Sequence, residues 1–178
     1  MRKAEAEIVE DANTSYESLF QTQYPRILRL CRLLLKDVHE AEEVTQEVFE
    51  KLVRQWRSEN EILSWEAWLT RVAVNACHDR RRSSWWKWWR SGRLEPPSEE
   101  AVDRQSTPED QLLGLEQQRR LWIRFQRLSP RQREVFTLRR LEGLSTEEVA
   151  NLLGVTTGSV KRHLFHALRH LQKMLGDY

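Results

Sequence analysis

The chain has little of what marks secreted, metal-bound or membrane-embedded proteins. Its 178 residues include two cysteines, Cys31 and Cys77, and no Cys-x-x-Cys. That excludes a disulfide scaffold and argues for reduced thiols. Both fall on apolar helical stripes, so buried thiols in a cytosolic, cytoplasmic protein are expected. A zinc site from Cys77 and His78 is an alternative, but neighbouring residues on a helix point in different directions. Six glycines are scattered, and none forms a phosphate-cradling loop. The five histidines do not cluster as ligands, and no nucleophile–base–acid set stands out. No catalytic residue, metal or cofactor is therefore expected. There is no apolar run of spanning length and no signal peptide, which argues against stable membrane insertion.

Hydrophobic residues make up 39% of the chain and charged residues 31%, which is polar but sufficient for small cores. Net charge is only +2, so the whole molecule is no general polyanion binder. The charges are instead sorted along the chain.

The most informative stretch is Leu128 to Leu175. Ser129-Pro130 is a helix start, a hydroxyl N-cap followed by proline at the first helical position. Gly143 can supply a left-handed C-cap. Ser145-Thr146-Glu147-Glu148 is a capping box, and the short helix it opens stops at Gly154. After Val155 and Thr156 a further helix runs to about Leu175. Two helices across so tight a turn predict a helix-turn-helix. The last helix has one apolar stripe of Val160, Leu164, Ala167, Leu168, Leu171 and Leu175. Between Gly154 and Gly176 there is no acid. A plain basic surface helix would look similar but would rarely follow a short capped helix and turn. A recognition helix reads bases from its N-terminal part. This puts Thr156, Thr157, Ser159, Lys161 and Arg162 at the groove, with Phe165 and His166 one turn on. Arg169 and Lys173, further along, are expected on phosphate, which positions without specifying.

Upstream, residues 1–13 are polar and expected to fray. Thr14-Ser15-Tyr16-Glu17 is a second capping-box candidate. It opens a helix with Leu19, Phe20, Tyr24, Ile27, Leu28, Cys31, Leu34 and Leu35 inward, which Pro25 should kink or split. The next helix, from about His39 to Arg57, buries Ala41, Val44, Val48, Leu52 and Trp56, widened by Phe49 and Val53. Glu42, Glu43, Gln46, Glu47 and Glu50 lie off that stripe, where simple solvation accounts for them. A polar loop, Ser58 to Leu63, leads to a third helix from Ser64 to about Arg82. Its inner side is Trp65, Trp68, Leu69, Val72, Ala73, Ala76 and Cys77. Its outer side is Arg71, Asn75, His78, Arg80, Arg81 and Arg82.

Between the two halves the composition changes twice. Trp85, Trp86, Trp88 and Trp89 crowd into one short basic stretch. Three readings compete: a helix extension packed on a domain, a contact for a protein partner, or stacking on bases and dipping into a membrane interface. Leu94 to Asp110 then carries Pro96, Pro97 and Pro108 among six acids and one arginine, a flexible acidic linker. From Gln111 a helix restarts with Leu112, Leu115, Leu121 or Trp122, and Phe125 inward. The expected fold is all-α. It has two small helical domains, residues 14–82 and 111–175, joined by the tryptophan-rich segment and linker at 83–110.

Three stretches in this order resemble the extracytoplasmic-function (ECF) group of bacterial RNA polymerase sigma factors. Asp37-Val38-His39-Glu40-Ala41-Glu42-Glu43-Val44-Thr45-Gln46-Glu47-Val48-Phe49 is similar to the family's D-x-x-x-A-E-D-x-T-Q-E-x-F. Ala67-Trp68-Leu69-Thr70-Arg71-Val72-Ala73-Val74-Asn75 is similar to W-L-x-R-I-A-x-N. The G-L-S-x-x-E-x-A-x-x-L-G run followed by G-S-V-K resembles its second DNA-binding domain. The resemblance implies a transcription initiation factor whose partners are core RNA polymerase, promoter DNA and an anti-sigma factor. It implies docking on polymerase through Glu43, Gln46 and Glu47. It implies minus-ten recognition and melting by the first domain, with Trp68 and Asn75 beside the base-capturing loop and Arg71, Arg80, Arg81 and Arg82 on phosphates. Sigma domain 4 would read the minus-thirty-five element through Thr156, Thr157, Ser159, Lys161, Arg162, Phe165, His166 and Arg169. Glu43 stands where the family more often has Asp, and the loop lacks the glycine that many members carry. The C-terminal unit also resembles a LuxR-type helix-turn-helix transcriptional regulator, but no strand–helix alternation precedes Gln111.

Overall fold

The computed structural model describes the backbone over residues 2–57, 62–90, 119 and 121–173, and side chains over 16–57, 62–83, 119 and 121–172. Everything in the described residues is helix or connection, as an all-α fold requires. The chain divides into two compact units, Met1–Trp86 and Lys87–Tyr178.

Three helices form the first unit: α1 (Arg2–Leu34), α2 (Val38–Trp56) and α3 (Trp65–Arg90). α1 starts earlier than the Thr14 cap implied. Residues 2–12 are mostly Ala, Glu, Arg and Lys, which carry the helix without a new start. Nor does Pro25 split it, for the helix is continuous across that position. Pro25 and Gln21 are both exposed, so water can take the Gln21 carbonyl that the missing N–H leaves free. α2 is capped by Asp37, whose carboxylate accepts from the Glu40 N–H at 2.9 Å. It buries Ala41, Val44, Thr45, Val48, Phe49 and Leu52 along one side. α3 starts at Ser64, whose hydroxyl accepts from the Ala67 N–H at 3.2 Å. It runs past the expected stop at Arg82 to Arg90, since no Gly or Pro occurs between Ser64 and Gly92.

Ile27, Leu30, Cys31 and Leu34 of α1, with Leu35 just after it, make the core with the α2 stripe and with Leu69, Ala73, Val74 and Cys77 of α3. Cys31 and Cys77 are both buried free thiols, hydrogen-bonded to each other. An aromatic seam borders this core. Phe49 meets Phe20 at 5.0 Å and Tyr24 at 5.2 Å, while Trp56 meets Tyr16 at 5.6 Å and Trp65 at 4.9 Å. Each such pair adds about 0.5–1.5 kcal/mol beyond area burial. Arg26 ties α1 to α3 by donating to the Glu66 carbonyl and the Thr70 hydroxyl, each at 3.1 Å.

In the second unit, helical residues 121–126 (α4) precede α5 (Pro130–Phe136), a π turn at Thr137–Leu141, α6 (Thr146–Leu153) and α7 (Thr157–Lys173). Both predicted caps form. Ser129 and Gln132 make a reciprocal box ahead of Pro130, and so do Ser145 and Glu148 ahead of α6. Gly154 ends α6 in the left-handed conformation at φ 64°. Gly143, at φ 73°, turns the chain after the π turn, where the Leu144 N–H donates to the Leu138 carbonyl at 3.0 Å. A Cβ at Gly143 would meet nothing within 4 Å, so backbone conformation alone demands glycine there. The π turn was not expected. It places Thr137 and Leu138 in the core and turns Arg139 toward the Leu144 carbonyl, which accepts from it. Of the residues expected inward before α5, Phe125 is buried, 5.9 Å from Phe136, but Leu121 and Trp122 are exposed. Leu112, Leu115 and the acidic linker lie outside the described residues.

Candidate nucleic-acid and partner interfaces

α7 is organised by one buried face. Val160, Ala167 and Leu171 are buried, with Leu164 and Leu168 half-buried beside them. Most of the other described side chains on the helix turn outward. Thr157, Lys161, Arg162, Phe165, His166 and Arg169 are exposed, and Ser159 is half-buried. Thr156 has a structural duty as well, because its hydroxyl accepts from the Ser159 N–H at 3.2 Å. The free backbone donors of the first turn and the helix dipole favour an anion at this end. Among the described residues, none of Lys161, Arg162 and Arg169 is paired with an acid. Phe165 is 58% exposed, the most exposed large apolar side chain on α7, and its ring meets His166 edge-on at 5.6 Å. An apolar ring at such a place suits a thymine methyl, and the cations beside it suit guanine.

His163 differs from its neighbours. It is half-buried, and burial first, then the charges of Arg162 and Arg131, lower its pKa below the ordinary histidine value. Glu134, 1% exposed, opposes that shift from nearby and accepts from Arg131 at 3.0 Å.

In the first unit the expected site residues separate into two groups. Trp68, Arg71, Asn75 and Arg82 fall three or four residues apart, or multiples of that, so they share one side of α3. Arg71, Asn75 and Arg82 are exposed and Trp68 is half-buried. Arg82 also bonds Asp79 at 2.8 Å. Glu43, Gln46 and Glu47 are exposed on α2, opposite its buried stripe. Arg80 belongs with this second group rather than the first. Its guanidinium donates to both Glu43 and Glu47, so in this chain alone it is engaged by carboxylates rather than open to phosphate. Arg81 is half-buried.

Two features escape a sequence reading. Trp56 and Trp65 belong to predicted core stripes yet remain half-exposed, and with Trp68 they form a row, Trp65 tilted against Trp56 and T-shaped to Trp68 at 5.8 Å. Leu63, directly before α3, is fully exposed. The only signal for them was that aromatics bracket a polar loop. Residues 58–61 of that loop lie outside the described set, as do the side chains of Trp85, Trp86, Trp88 and Trp89, although α3 includes those positions. Among the described residues no His, Cys, Asp and Glu group could hold a metal, and no helix is long and apolar enough to cross a membrane.

Comparison with known proteins matches both units. Residues 19–87 match the family model for sigma-70 region 2, and residues 119–171 match that for sigma-70, region 4. The RNA polymerase sigma-E factor of Streptomyces coelicolor is 30% identical over 162 residues, covering 90% of this chain and 85% of that protein. The ECF RNA polymerase sigma factor SigW of Bacillus subtilis is 27% identical over 157 residues, covering 85% of this chain and 84% of that protein. Among solved structures, the sigma factor RpoE of Bartonella quintana, in complex with the anti-sigma factor NepR, shares the fold at a TM-score of 0.70. It is 21% identical and covers 92% of this chain and 99% of its own.

Proposed function

The chain belongs to the RNA polymerase sigma factors, in their ECF group, and from that premise we propose how its two units divide the work of starting transcription. It binds core RNA polymerase and directs it to promoters, under the control of an anti-sigma factor. The first unit docks through Glu43, Gln46 and Glu47 on α2. Its α3 side, carrying Trp68, Arg71, Asn75 and Arg82 with Arg81 nearby, engages the minus-ten element and holds an unpaired base. Taking a base out of the stack costs a few kcal/mol, which stacking and hydrogen bonds in a pocket can return. The second unit lays α7 in the major groove of the minus-thirty-five element. Thr157, Ser159, Lys161, Arg162, Phe165 and His166 face base edges, each good bidentate pair contributing about 1–3 kcal/mol of discrimination. Arg169 takes phosphate, and Thr156 holds the helix start in place.

The observation that carries this reading is the acid-free outward face of α7, set downstream of a region 2 match in one chain. The same order sets aside a LuxR-type regulator, since residues 19–87 match sigma-70 region 2. The protein supplies recognition and strand capture rather than chemistry of its own, and it acts where the polymerase is, in the cytoplasm. The test is reconstitution. The purified full chain, mixed with bacterial core polymerase, is expected to form a complex that starts RNA synthesis at a defined promoter position. DNA binding without any polymerase complex would overturn the reading in favour of a free-standing regulator.

A further inference from the structure

Glu43 and Glu47 are four residues apart on α2, one helical turn, so one planar guanidinium can span both. Arg80 does so from α3: its Nη1 donates to Glu43 Oε2, and its Nη2 to Glu47 Oε1 at 2.5 Å. The three side chains are not equally placed. Arg80 is 21% exposed, whereas Glu43 is 63% and Glu47 49% exposed. A partner arriving on α2 meets carboxylate oxygens first, with the arginine behind them. A phosphate arriving at α3 finds this guanidinium already committed to two anions. Arg71 and Arg82, on the other side of α3, are exposed.

We propose that Arg80 is a latch between the docking face and the DNA-binding side of the first unit. Glu43 and Glu47 hold its guanidinium in the free chain, and a basic partner surface that takes those carboxylates releases it to a promoter phosphate. The proposal rests on the docking role of α2 given above. It follows from competition at one place: an incoming cation and Arg80 draw on the same two carboxylates, of which Arg80 holds one oxygen each. Largely exposed carboxylates make pairs weak enough to exchange. A docked chain then grips DNA through one more phosphate contact than a free one.

Counterion release makes that contact countable, since each phosphate neutralised on duplex DNA steepens the slope of log K against log salt by about 0.9. The full chain is titrated with a fluorescent promoter duplex over a salt series, without polymerase. Glu43→Gln with Glu47→Gln frees Arg80, and the slope is expected to steepen by about 0.9. Adding Arg80→Ala to that pair should abolish the steepening. If double and triple variants share one slope, the gain is mere loss of repulsion and the latch is overturned. Where the alanine variant unfolds, Arg80→Gln takes its place. A second arm uses the polymerase complex: Arg80→Gln should flatten its slope by about 0.9, and an unaltered slope there also overturns the proposal. If the parental chain fails to bind polymerase at all, the docking role fails, while the polymerase-free arm still decides whether the carboxylates hold Arg80.

Discussion

In the first unit Arg80 is bound by Glu43 and Glu47, Arg32 meets Glu42 at 2.8 Å, and Arg26 bridges to α3. In the second, α7 carries its cations outward with no acid along its length. α7 and the three arginines just named thus use the same residue type in opposite ways. On α7 no carboxylate of the helix itself competes for the cations. In the first unit arginine cross-links one helix to another. Their cores differ in parallel. The first unit rests on three long helices and an aromatic seam. The second rests on short helices fixed by caps and a π turn, with Leu138, Val135 and Val149 at its centre.

The largest expected effect tests that difference in cores. Leu69 and Leu138 are both fully buried, so Leu69→Ala and Leu138→Ala should each cost about 2–5 kcal/mol. α5 and α6, of 7 and 8 residues, are too short to hold without their tertiary packing, whereas the helices of the first unit are 19 residues or longer. Amide spectra of the full chain should therefore show the second unit unfolded in Leu138→Ala and the first unit retained in Leu69→Ala. The reverse pattern would break the contrast. A middle-sized effect tests the cations. Arg162→Ala should weaken binding to the preferred minus-thirty-five sequence by about 1–3 kcal/mol and relax base preference. Arg71→Ala should weaken binding to all sequences alike, as loss of a phosphate contact does. Binding selections on both variants separate them, and unchanged preference in Arg162→Ala would remove it from the groove.

The smallest effect is pH-dependent and belongs to the second unit. The pKa of His163 is depressed on folding, by burial and then by Arg162 and Arg131, so the unfolded chain binds its proton more readily. The stability this gives is fully present above about pH 6.5, the unfolded value, and is lost as pH falls through the folded value. The second unit should thus melt lower at pH 5.5 than at pH 7.5, and His163→Gln should shrink that gap. Glu148, held below the ordinary carboxylate range by its bond from the Ser145 N–H, titrates at lower pH and leaves this window clear.

Much of this molecule is legible in its sequence, and the reasons differ by place. Ser129, Ser145, Gly143 and Gly154 announce their roles because capping and positive φ each require particular residues. The centres of the buried faces of α2 and α7 follow from spacing, while Val53, Trp56, Leu164 and Leu168 at their margins are only half-buried. The start of α1 is not legible, because Thr14 and Glu17 also suit helix interiors, and good helix formers precede them. The run of α3 to Arg90 is hidden, because a change of composition at Ser83 is no helix stop. Arg80, Arg81 and Arg82 are neighbours in sequence. Yet on a helix the adjacent position faces another way, and only the partner helix decides what it meets. The π turn left no mark at all, since TLRRL is ordinary helix-forming sequence.

That π turn has a mechanical consequence. A π turn is a helix with one residue too many, and each residue of an α-helix accounts for about 100° of rotation. The wide loop of backbone at Thr137–Leu141 therefore acts as an angular spacer, setting where the chain leaves α5 on its way to α6 and α7. Excising a single residue there would let the helix close to ordinary pitch, and every side chain beyond it would start from a different compass point.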